Sequence, residues 1–283
     1  MSPLTDVTPA TVARLRAAGC VFAEEEAALL ADAATSPAHL EELLVQRVEG
    51  LPLEHVVRWA AFRGLRVAVR PGVFVPRRRT ELLVDEAVRL VAETDARSGA
   101  GSGAGAGVPL VVVDLCCGAG ALGLALVTAL RAPEPPAGSR PVELHAADVE
   151  PAAVACARVN VEPVGGRVHA GDLYDALPAE LRGRVDVLLA NVPYVPTDAV
   201  ALLPPEARDH EPRIALDGGA DGLDVLRRVA AGAPGWLAPG GRLLVETSER
   251  QAAAAAAAFE ECGLVTRVVT TEDATAIAGT RAD

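Results

Sequence analysis

The sequence contains no lysine: all 26 of its basic residues are arginine, against 38 acidic residues and a net charge of -12. A protein that coats nucleic-acid phosphates over its whole surface needs an excess of positive charge, so the acidic balance argues against that class of protein. The missing lysine, together with abundant alanine, glycine and proline, reflects genomic base composition. The distribution of the arginines is therefore more informative than their number.

Long apolar runs and paired cysteines are also missing. No run approaches the roughly 20 apolar residues of a membrane span. The N-terminus lacks the basic and then apolar pattern of a signal peptide, so we expect a cytoplasmic protein. The five cysteines are an odd number and contain no CxxC pair. Neither a disulfide framework nor a zinc site is supported, and we expect reduced, packed thiols and no bound metal.

Three regions follow one another along the chain. Residues 8–57 carry apolar residues at helical spacing, interrupted by glycine and proline, which predicts a small bundle of short helices. The stretch AAFRGLRVAVRPGVFVP alternates around Gly64 and predicts a β-hairpin. A further helix, which Thr80 would cap, leads into TDARSGAGSGAGAG, a stretch with the composition of a flexible loop. The predicted divisions are a helical domain at 1–58, a hairpin linker at 59–79 and a second domain at 80–283.

Beyond that loop, short apolar strands alternate with helices, which is the pattern of a doubly wound α/β sheet. The predicted strands are residues 110–114, 142–148, a short one near 168, 185–190, 242–246, 264–269 and 275–279. The link between the last two strands is too short for a helical crossover, so these strands should pair antiparallel. A seven-stranded sheet with this ending favours the Rossmann-like class I fold of S-adenosylmethionine-dependent methyltransferases over the nicotinamide-binding fold.

Three of these strands end in residues that suit a nucleotide-like cofactor. The first ends in DLCCGAG, whose glycines let a ligand approach the backbone, although similar turns also serve other nucleotides or only pack. The second ends at Asp148, where an acidic side chain can accept hydrogen bonds from ribose hydroxyls or cap the next helix. The third ends in AGDLYDAL. The predicted cofactor-binding residues are Asp114, Cys116, Gly118, Gly120, Asp148, Asp172, Leu173 and Asn191.

The fourth strand is followed by the sequence NVPY. Here the Asn191 side-chain oxygen and the Val192 carbonyl can accept the two N–H groups of one NH2 group, and the Tyr194 ring can lie against a flat π system. This arrangement suits a planar amide or amino group, so the predicted catalytic residues are Asn191, Val192, Pro193 and Tyr194. The alternative is a strand that ends at a proline and is followed by a surface tyrosine.

These motifs resemble those of the HemK/PrmC group of protein-glutamine amide-nitrogen methyltransferases. The similarity covers DLCCGAG, ANVPYVP, RVEGLPLEHVVRWAAFRGLRVAVRPGVFVPRRRTELLV and, most specifically, EPRIALDGGADGLDVLRRV. The resemblance implies a helical N-terminal domain that helps to seat a protein substrate. It also implies S-adenosylmethionine as cofactor, with S-adenosylhomocysteine as product, and methylation of a glutamine in a peptide chain release factor or a ribosomal protein. We expect the protein to act as a monomer.

Several residues depart from the pattern of that group. Cys116 replaces the first loop glycine, Val192 replaces a proline, and Ser248 stands where a glycine is common. Because Val192 keeps its backbone carbonyl, the chemistry can survive. Arg78 and Arg79 stand where the group tends to have proline and an acid, and they change the charge near the substrate. These departures leave the alternative that the chain is a paralogue that methylates a different protein.

Two other functions are alternatives. The Asn-Val-Pro-Tyr sequence resembles that of adenine-amino methyltransferases of DNA and RNA, but the acidic charge and the lack of an evident target-recognition domain count against them. A cofactor-binding paralogue that has lost catalysis would account for Cys116 and Val192. Residues 55–80, with seven arginines and no acid, form either a docking surface for an anionic partner or a solvated basic face.

Overall fold

The structure is a computed structural model that describes residues 7–97, 108–131 and 140–282. Most of the predicted glycine-rich loop, residues 98–107, lies outside the described residues. Within the three described ranges, no helix is both long enough and apolar enough to cross a membrane.

The N-terminal region is helical, as predicted. Side-chain caps start two of its helices: the Thr8 hydroxyl accepts a hydrogen bond from the N–H of Thr11 (3.2 Å), and the Ser36 hydroxyl accepts one from the N–H of His39 (3.1 Å). The apolar faces enclose a core of their own, with Leu30 at its centre. The helices are α1 (Pro9–Ala17), α2 (Ala23–Ala33), α3 (Pro37–Val48) and α4 (Leu53–Val57).

A β-hairpin follows, with β1 (Trp59–Phe62) paired antiparallel to β2 (Leu65–Ala68). Its two turn residues, Arg63 and Gly64, have φ of 47° and 74°, as a two-residue hairpin turn requires. The hairpin is packed rather than free: Phe62 and Val67 belong to the same buried cluster as one face of the large sheet. The predicted hairpin is confirmed, and its position against the sheet fixes where the chain enters the second domain.

The predicted cap at Thr80 is wrong. A short 3-10 turn (Arg78–Thr80) precedes α5 (Glu81–Arg97), so Thr80 is already inside the turn. Its hydroxyl is buried and has no hydrogen-bond partner among the described residues. The side chain instead faces a cavity described below.

The second domain is built on a seven-stranded sheet with the order β5-β4-β3-β6-β7-β9-β8. The β3 to β7 neighbours pair parallel, whereas β9 pairs antiparallel with both β7 and β8. This confirms the Rossmann-like class I fold and the predicted antiparallel ending. The strands are β3 (Leu110–Leu115), β4 (Val142–Asp148), β5 (Arg167–Ala170), β6 (Val185–Ala190), β7 (Leu237–Thr247), β8 (Leu264–Thr270) and β9 (Thr275–Arg281).

Helices cover both faces of this sheet, so its central strands are buried on both sides. In β3, Val112 points into the cluster with α5 to α7, and Val113 points into the cluster with α9 and α10. The strand order reverses between β3 and β6, which creates a crevice at the carboxyl ends of these two strands. The remaining helices are α6 (Ala121–Leu130), α7 (Pro151–Val161), α8 (Pro205–His210), α9 (Asp224–Trp236) and α10 (Ala252–Glu261).

Candidate active site

Two adjoining cavities open at this crevice. The first, which we call the glycine-loop cavity, is lined by the loop after β3 and by the ends of β4, β5 and β6. The second, the box cavity, is lined by the segment after β6 together with residues from α4, the turn before α5 and α8. Their walls have four residues in common: Phe74, Arg77, Asn191 and Ala215.

The loop after β3 is shaped by positive φ angles. Cys116, Gly118 and Gly120 have φ of 53°, 54° and 76°. Cys116 and Gly118 line the glycine-loop cavity, but Gly120 does not. A Cβ atom at Gly120 would lie 2.6 Å from a Val161 methyl carbon, so this glycine is needed for the close packing of α6 on α7. The predicted loop residues therefore divide into two that face the cavity and one that supports it.

Asp114 lies beneath this loop rather than in the cavity wall. Its Oδ2 atom accepts a hydrogen bond from the N–H of Gly123 in the first turn of α6 (2.8 Å), and the side chain is fully buried. Its Oδ1 atom has no partner among the described residues. Burial raises the pKa of this carboxyl to about 8. In this state Asp114 orients the loop from below, while its Oδ1 atom stays buried beneath the cavity.

Asp148 does line the glycine-loop cavity. Its two oxygens accept hydrogen bonds from the N–H groups of Gly118 (2.8 Å) and Glu150 (2.9 Å). Burial raises the pKa of the Asp148 carboxyl, while these backbone donors oppose that rise. Each carboxylate oxygen retains a second lone pair. Asp148 thus ties the glycine loop to the end of β4, and its oxygens can still accept hydrogen bonds from two hydroxyl groups.

Asp172 and Leu173 face the same cavity from the end of β5. The Asp172 carboxylate is paired with the guanidinium of Arg228 in α9 (2.6 Å). Leu173 has φ of 48° and is largely buried, so it presents an apolar surface to the cavity. A carboxylate that accepts hydrogen bonds from hydroxyl groups, placed beside an apolar wall, fits a nucleoside.

The segment after β6 presents two free acceptors. Asn191 lies in the wall common to both cavities, and its side-chain amide makes no hydrogen bond within the described part of the chain. The carbonyl of Val192 likewise accepts no hydrogen bond from any described backbone or side-chain donor. Val192 is buried and borders the box cavity. Pro193 faces the glycine-loop cavity and Tyr194 the box cavity.

The shape of this segment is imposed by a distant stretch of chain. The N–H of Val195 donates to the Leu216 carbonyl (3.1 Å), and the N–H of Gly218 donates back to the Val195 carbonyl (2.8 Å). The Gln251 amide donates to the Tyr194 carbonyl (2.9 Å). A Cβ atom at Gly222 would lie 2.2 Å from that carbonyl. A Cβ atom at Gly218 would likewise lie 2.6 Å from the Pro193 carbonyl oxygen. Two of the three glycines in EPRIALDGGADGLD therefore allow a close backbone contact with NVPY, a role that its sequence alone did not reveal.

The hydroxyl of Tyr194 is held by a second set of contacts that sequence reasoning missed. It accepts a hydrogen bond from the Arg79 guanidinium (2.6 Å) and donates one to Oε1 of Glu246 (3.1 Å). Arg79 also donates directly to that oxygen (3.1 Å). Burial raises the pKa of Tyr194 to about 12, so the phenol keeps its proton and donates. The unusual Arg79 thus acts as a partner of the strand-end acid.

Several arginines of residues 55–80 have partners within the protein. Arg77 pairs with the buried Glu211 (2.5 Å), and Arg79 pairs with the buried Glu246. Arg66 stacks over the Trp59 ring, with its guanidinium carbon 4.1 Å from the ring centroid. The two arginines that border the box cavity, Arg77 and Arg79, therefore each already have an acidic partner.

We compared the chain with known proteins. It is 39% identical over 241 residues to the release factor glutamine methyltransferase of Mycolicibacterium smegmatis, covering 84% of this chain and 76% of the relative. It is 37% identical to the protein of the same name from Streptomyces coelicolor, covering 74% and 67%. It is 36% identical to the 4-amino-L-phenylalanine/4-methylamino-L-phenylalanine methyltransferase of Streptomyces pristinaespiralis, covering 77% and 68%.

The comparison with solved structures is weaker. Ribosomal protein L11 methylase from Lactobacillus delbrueckii subsp. bulgaricus matches with a TM-score of 0.47 and 13% identity, over 73% of this chain and 81% of that one. No protein-family model matches the chain.

The seven-stranded sheet with its antiparallel β9, together with the glycine loop and the acid at the end of β4, is the architecture of a class I methyltransferase. Within that class, identity to the relatives over most of their length places the chain in the family of release factor glutamine methyltransferases. The resemblance drawn from the motifs is thereby confirmed.

Proposed function

We propose that this protein transfers a methyl group from S-adenosylmethionine to the side-chain amide nitrogen of a glutamine in a peptide chain release factor. One observation carries the proposal beyond family membership. Asn191, with its amide unpaired, stands in the wall common to the two cavities. A group held there by Asn191 would face both the glycine-loop cavity and the box cavity.

The residues of the glycine-loop cavity fit the cofactor. Asp148 can accept the ribose hydroxyls, Leu173 offers an apolar surface to the adenine, and the loop at Cys116 and Gly118 lets the amino-acid part approach the backbone. Asp172 and Asn191 also border this cavity, and Asp114 and Gly120 complete the proposed set from beneath, where they support the loop. When bound, S-adenosylmethionine supplies an electrophilic methyl group. No metal is needed for this chemistry.

The catalytic contribution of the protein is position and electrostatics. An amide nitrogen is a poor nucleophile because its lone pair is delocalised, so it must be aligned and its developing positive charge stabilised. Asn191 Oδ1 and the Val192 carbonyl accept the two N–H groups of the glutamine, and the Tyr194 ring packs on the amide plane. Pro193 fixes the turn that aims these acceptors. When the methyl group is transferred, the nitrogen holds it together with both original protons and is positively charged. This cation is strongly acidic, so it can lose one proton to solvent without a dedicated base and leave the neutral N-methyl amide.

The helical region contributes to substrate binding in this proposal. Pro52, which precedes α4, and Glu54, which lies in α4, line the box cavity. Arg47 of α3 pairs with Glu206 of α8, which also lines this cavity (2.6 Å). We therefore assign residues 1–58 to substrate docking, 59–79 to the linking hairpin and 80–283 to methyl transfer. We expect a cytoplasmic monomer that does not bind nucleic acid directly.

The test is transfer of radiolabelled methyl groups from S-adenosylmethionine to three candidate acceptors: a release factor, a ribosomal protein and an oligonucleotide. Label should enter the release factor at one glutamine and disappear when that glutamine is replaced by alanine. Label in the oligonucleotide alone would identify an adenine-amino methyltransferase. Cofactor binding with no transfer to any acceptor would identify an inactive paralogue.

A further inference from the structure

A third depression, which we call the acidic groove, adjoins the box cavity. It lies between the end of β7 and the turn that joins β8 to β9, and it shares Arg79 and Tyr194 with the box cavity. A peptide whose glutamine entered the box cavity would therefore have its neighbouring residues beside this groove.

The groove carries an excess of negative charge. Its described lining includes four acids, Glu246, Glu249, Glu272 and Asp273, and one base, Arg79, which leaves a net charge of -3. The only base is already bonded to Glu246. Glu249, Glu272 and Asp273 are exposed, and none of these three forms an ion pair within the described residues. Their mutual repulsion favours a cation in the groove.

Buried acceptors at the base of the groove give an independent indication of a ligand. Glu246 is only 3% exposed, and while its Oε1 atom is bonded to Arg79 and Tyr194, its Oε2 atom has no partner in the described structure. The Thr247 hydroxyl beside it is also buried and unpartnered. Buried acceptors without a donor are costly, so these atoms point to a donor that comes from another molecule.

A metal ion is not the expected ligand of these acceptors. No group of three or more His, Cys, Asp or Glu side chains among the described residues is arranged to hold one. A guanidinium or ammonium group on a flexible stem has both the positive charge and the N–H donors that these acceptors require.

We propose that the acidic groove binds an arginine or lysine side chain of the protein substrate, next in space to the glutamine that is methylated. The inference rests on the proposed function. It adds a recognition element that is separate from the amide acceptors: the box cavity selects the glutamine, and the groove selects its basic neighbour.

The test uses the full-length enzyme with Glu272→Arg and Asp273→Arg together, because both residues lie in an exposed turn away from the amide acceptors. The KM for release factor should rise about fivefold or more, the scale of a few exposed charge contacts. The turnover number, cofactor affinity and melting temperature should stay unchanged. The rise in KM should shrink in high salt.

The matched control is Glu180→Arg with Glu261→Arg, two exposed acids outside the groove that change the net charge by the same amount. A swap on the substrate completes the design, in which each basic residue near the glutamine is replaced by glutamate in turn. One such substrate should be methylated better by the groove variant than by the wild-type enzyme.

The outcomes separate the two proposals. An equal rise in KM for groove and control variants would reduce the effect to net charge and overturn the inference. An unchanged KM, or no rescue by any swapped substrate, would also overturn it while leaving glutamine methylation in place. If the wild-type enzyme fails to methylate release factor, the proposed function fails, and the inference fails with it.

Discussion

The loop after β3 and the NVPY segment after β6 follow neighbouring strands of one sheet, yet they are held in different ways. The β3 loop has positive φ at Cys116, Gly118 and Gly120, and the carboxylates of Asp114 and Asp148 accept hydrogen bonds from backbone N–H groups in and just after it. The NVPY segment is held from outside, by hydrogen bonds to residues 216–218 and to Gln251. At Cys116 and Gly118 the first should tolerate substitutions that suit positive φ, whereas the second depends on residues far away in sequence.

The largest effect should come from removing the free acceptor of NVPY. Asn191→Ala deletes an acceptor needed in the transition state, so the turnover number on release factor should fall on the order of a hundredfold or more. Steady-state kinetics with saturating cofactor measures this. Val192→Pro is the control, because it keeps the carbonyl and restores the residue typical of the family. Near-normal turnover by Asn191→Ala would remove NVPY from the mechanism.

The external support of NVPY can be broken at one glycine. Gly222 and Gly165 both have φ of 78°, but only Gly222 approaches other atoms, including the Tyr194 carbonyl. Gly165→Ala should cost about 1 kcal/mol of unfolding free energy for its backbone conformation, and Gly222→Ala about 2 to 4 kcal/mol because it adds a clash. Urea denaturation compares the two, and kinetics should show lost turnover for Gly222→Ala only. Equal costs would mean that the close contact is not needed.

The anchor beneath the β3 loop should give a pH dependence. The folded pKa of Asp114 is about 8, above the value of about 4 expected for an unfolded chain. The folded cofactor-free protein therefore holds an extra proton between these values, and its unfolding free energy falls as pH rises from about 4 to about 8. Asp114→Asn keeps the acceptor for Gly123 but does not titrate. Denaturation at pH 5 and pH 8 should show a smaller loss for the variant, and identical losses would contradict the assignment.

The smallest effect is expected where the β3 loop departs from its family. Cys116 adopts φ of 53°, a conformation that suits glycine, so Cys116→Gly relieves strain but also loosens the unfolded chain. The net gain should be below about 1 kcal/mol of unfolding free energy. Thermal melting and calorimetric cofactor titration should show a slightly higher melting temperature and unchanged affinity. A marked loss of cofactor affinity would instead give the Cys116 side chain a binding role.

Local pattern was enough to predict the strands, their antiparallel ending and the helical N-terminal region. Apolar runs such as residues 185–190 bury themselves on both faces of a sheet, and that requirement is visible in any stretch of chain. The resemblance supplied the family, which the relatives confirm. The assignment of individual site residues and domain boundaries stays a prediction.

Contacts between residues that are far apart in sequence could not be predicted from the sequence. The sequence places Arg79, Tyr194 and Glu246 more than 50 residues apart from one another, and only the sheet order brings their side chains together. Thr80 shows the same limit locally: its position favours a cap, but it lies inside a 3-10 turn, where its hydroxyl is buried and has no partner among the described residues. Residues that pair across strands carry no periodic signal, so their roles emerge only from the fold.

The wall common to the glycine-loop and box cavities has a consequence for inhibition. Phe74, Arg77, Asn191 and Ala215 border both cavities, so one small molecule could occupy both at once if an adenosine-like half were joined to an amide-bearing half. After the first half bound, the second would meet its site at an effective concentration in the millimolar range, and the joined compound would bind about 10²- to 10⁴-fold more tightly than either half alone. Because the two cavities adjoin, one linked compound can act as a single tight-binding inhibitor.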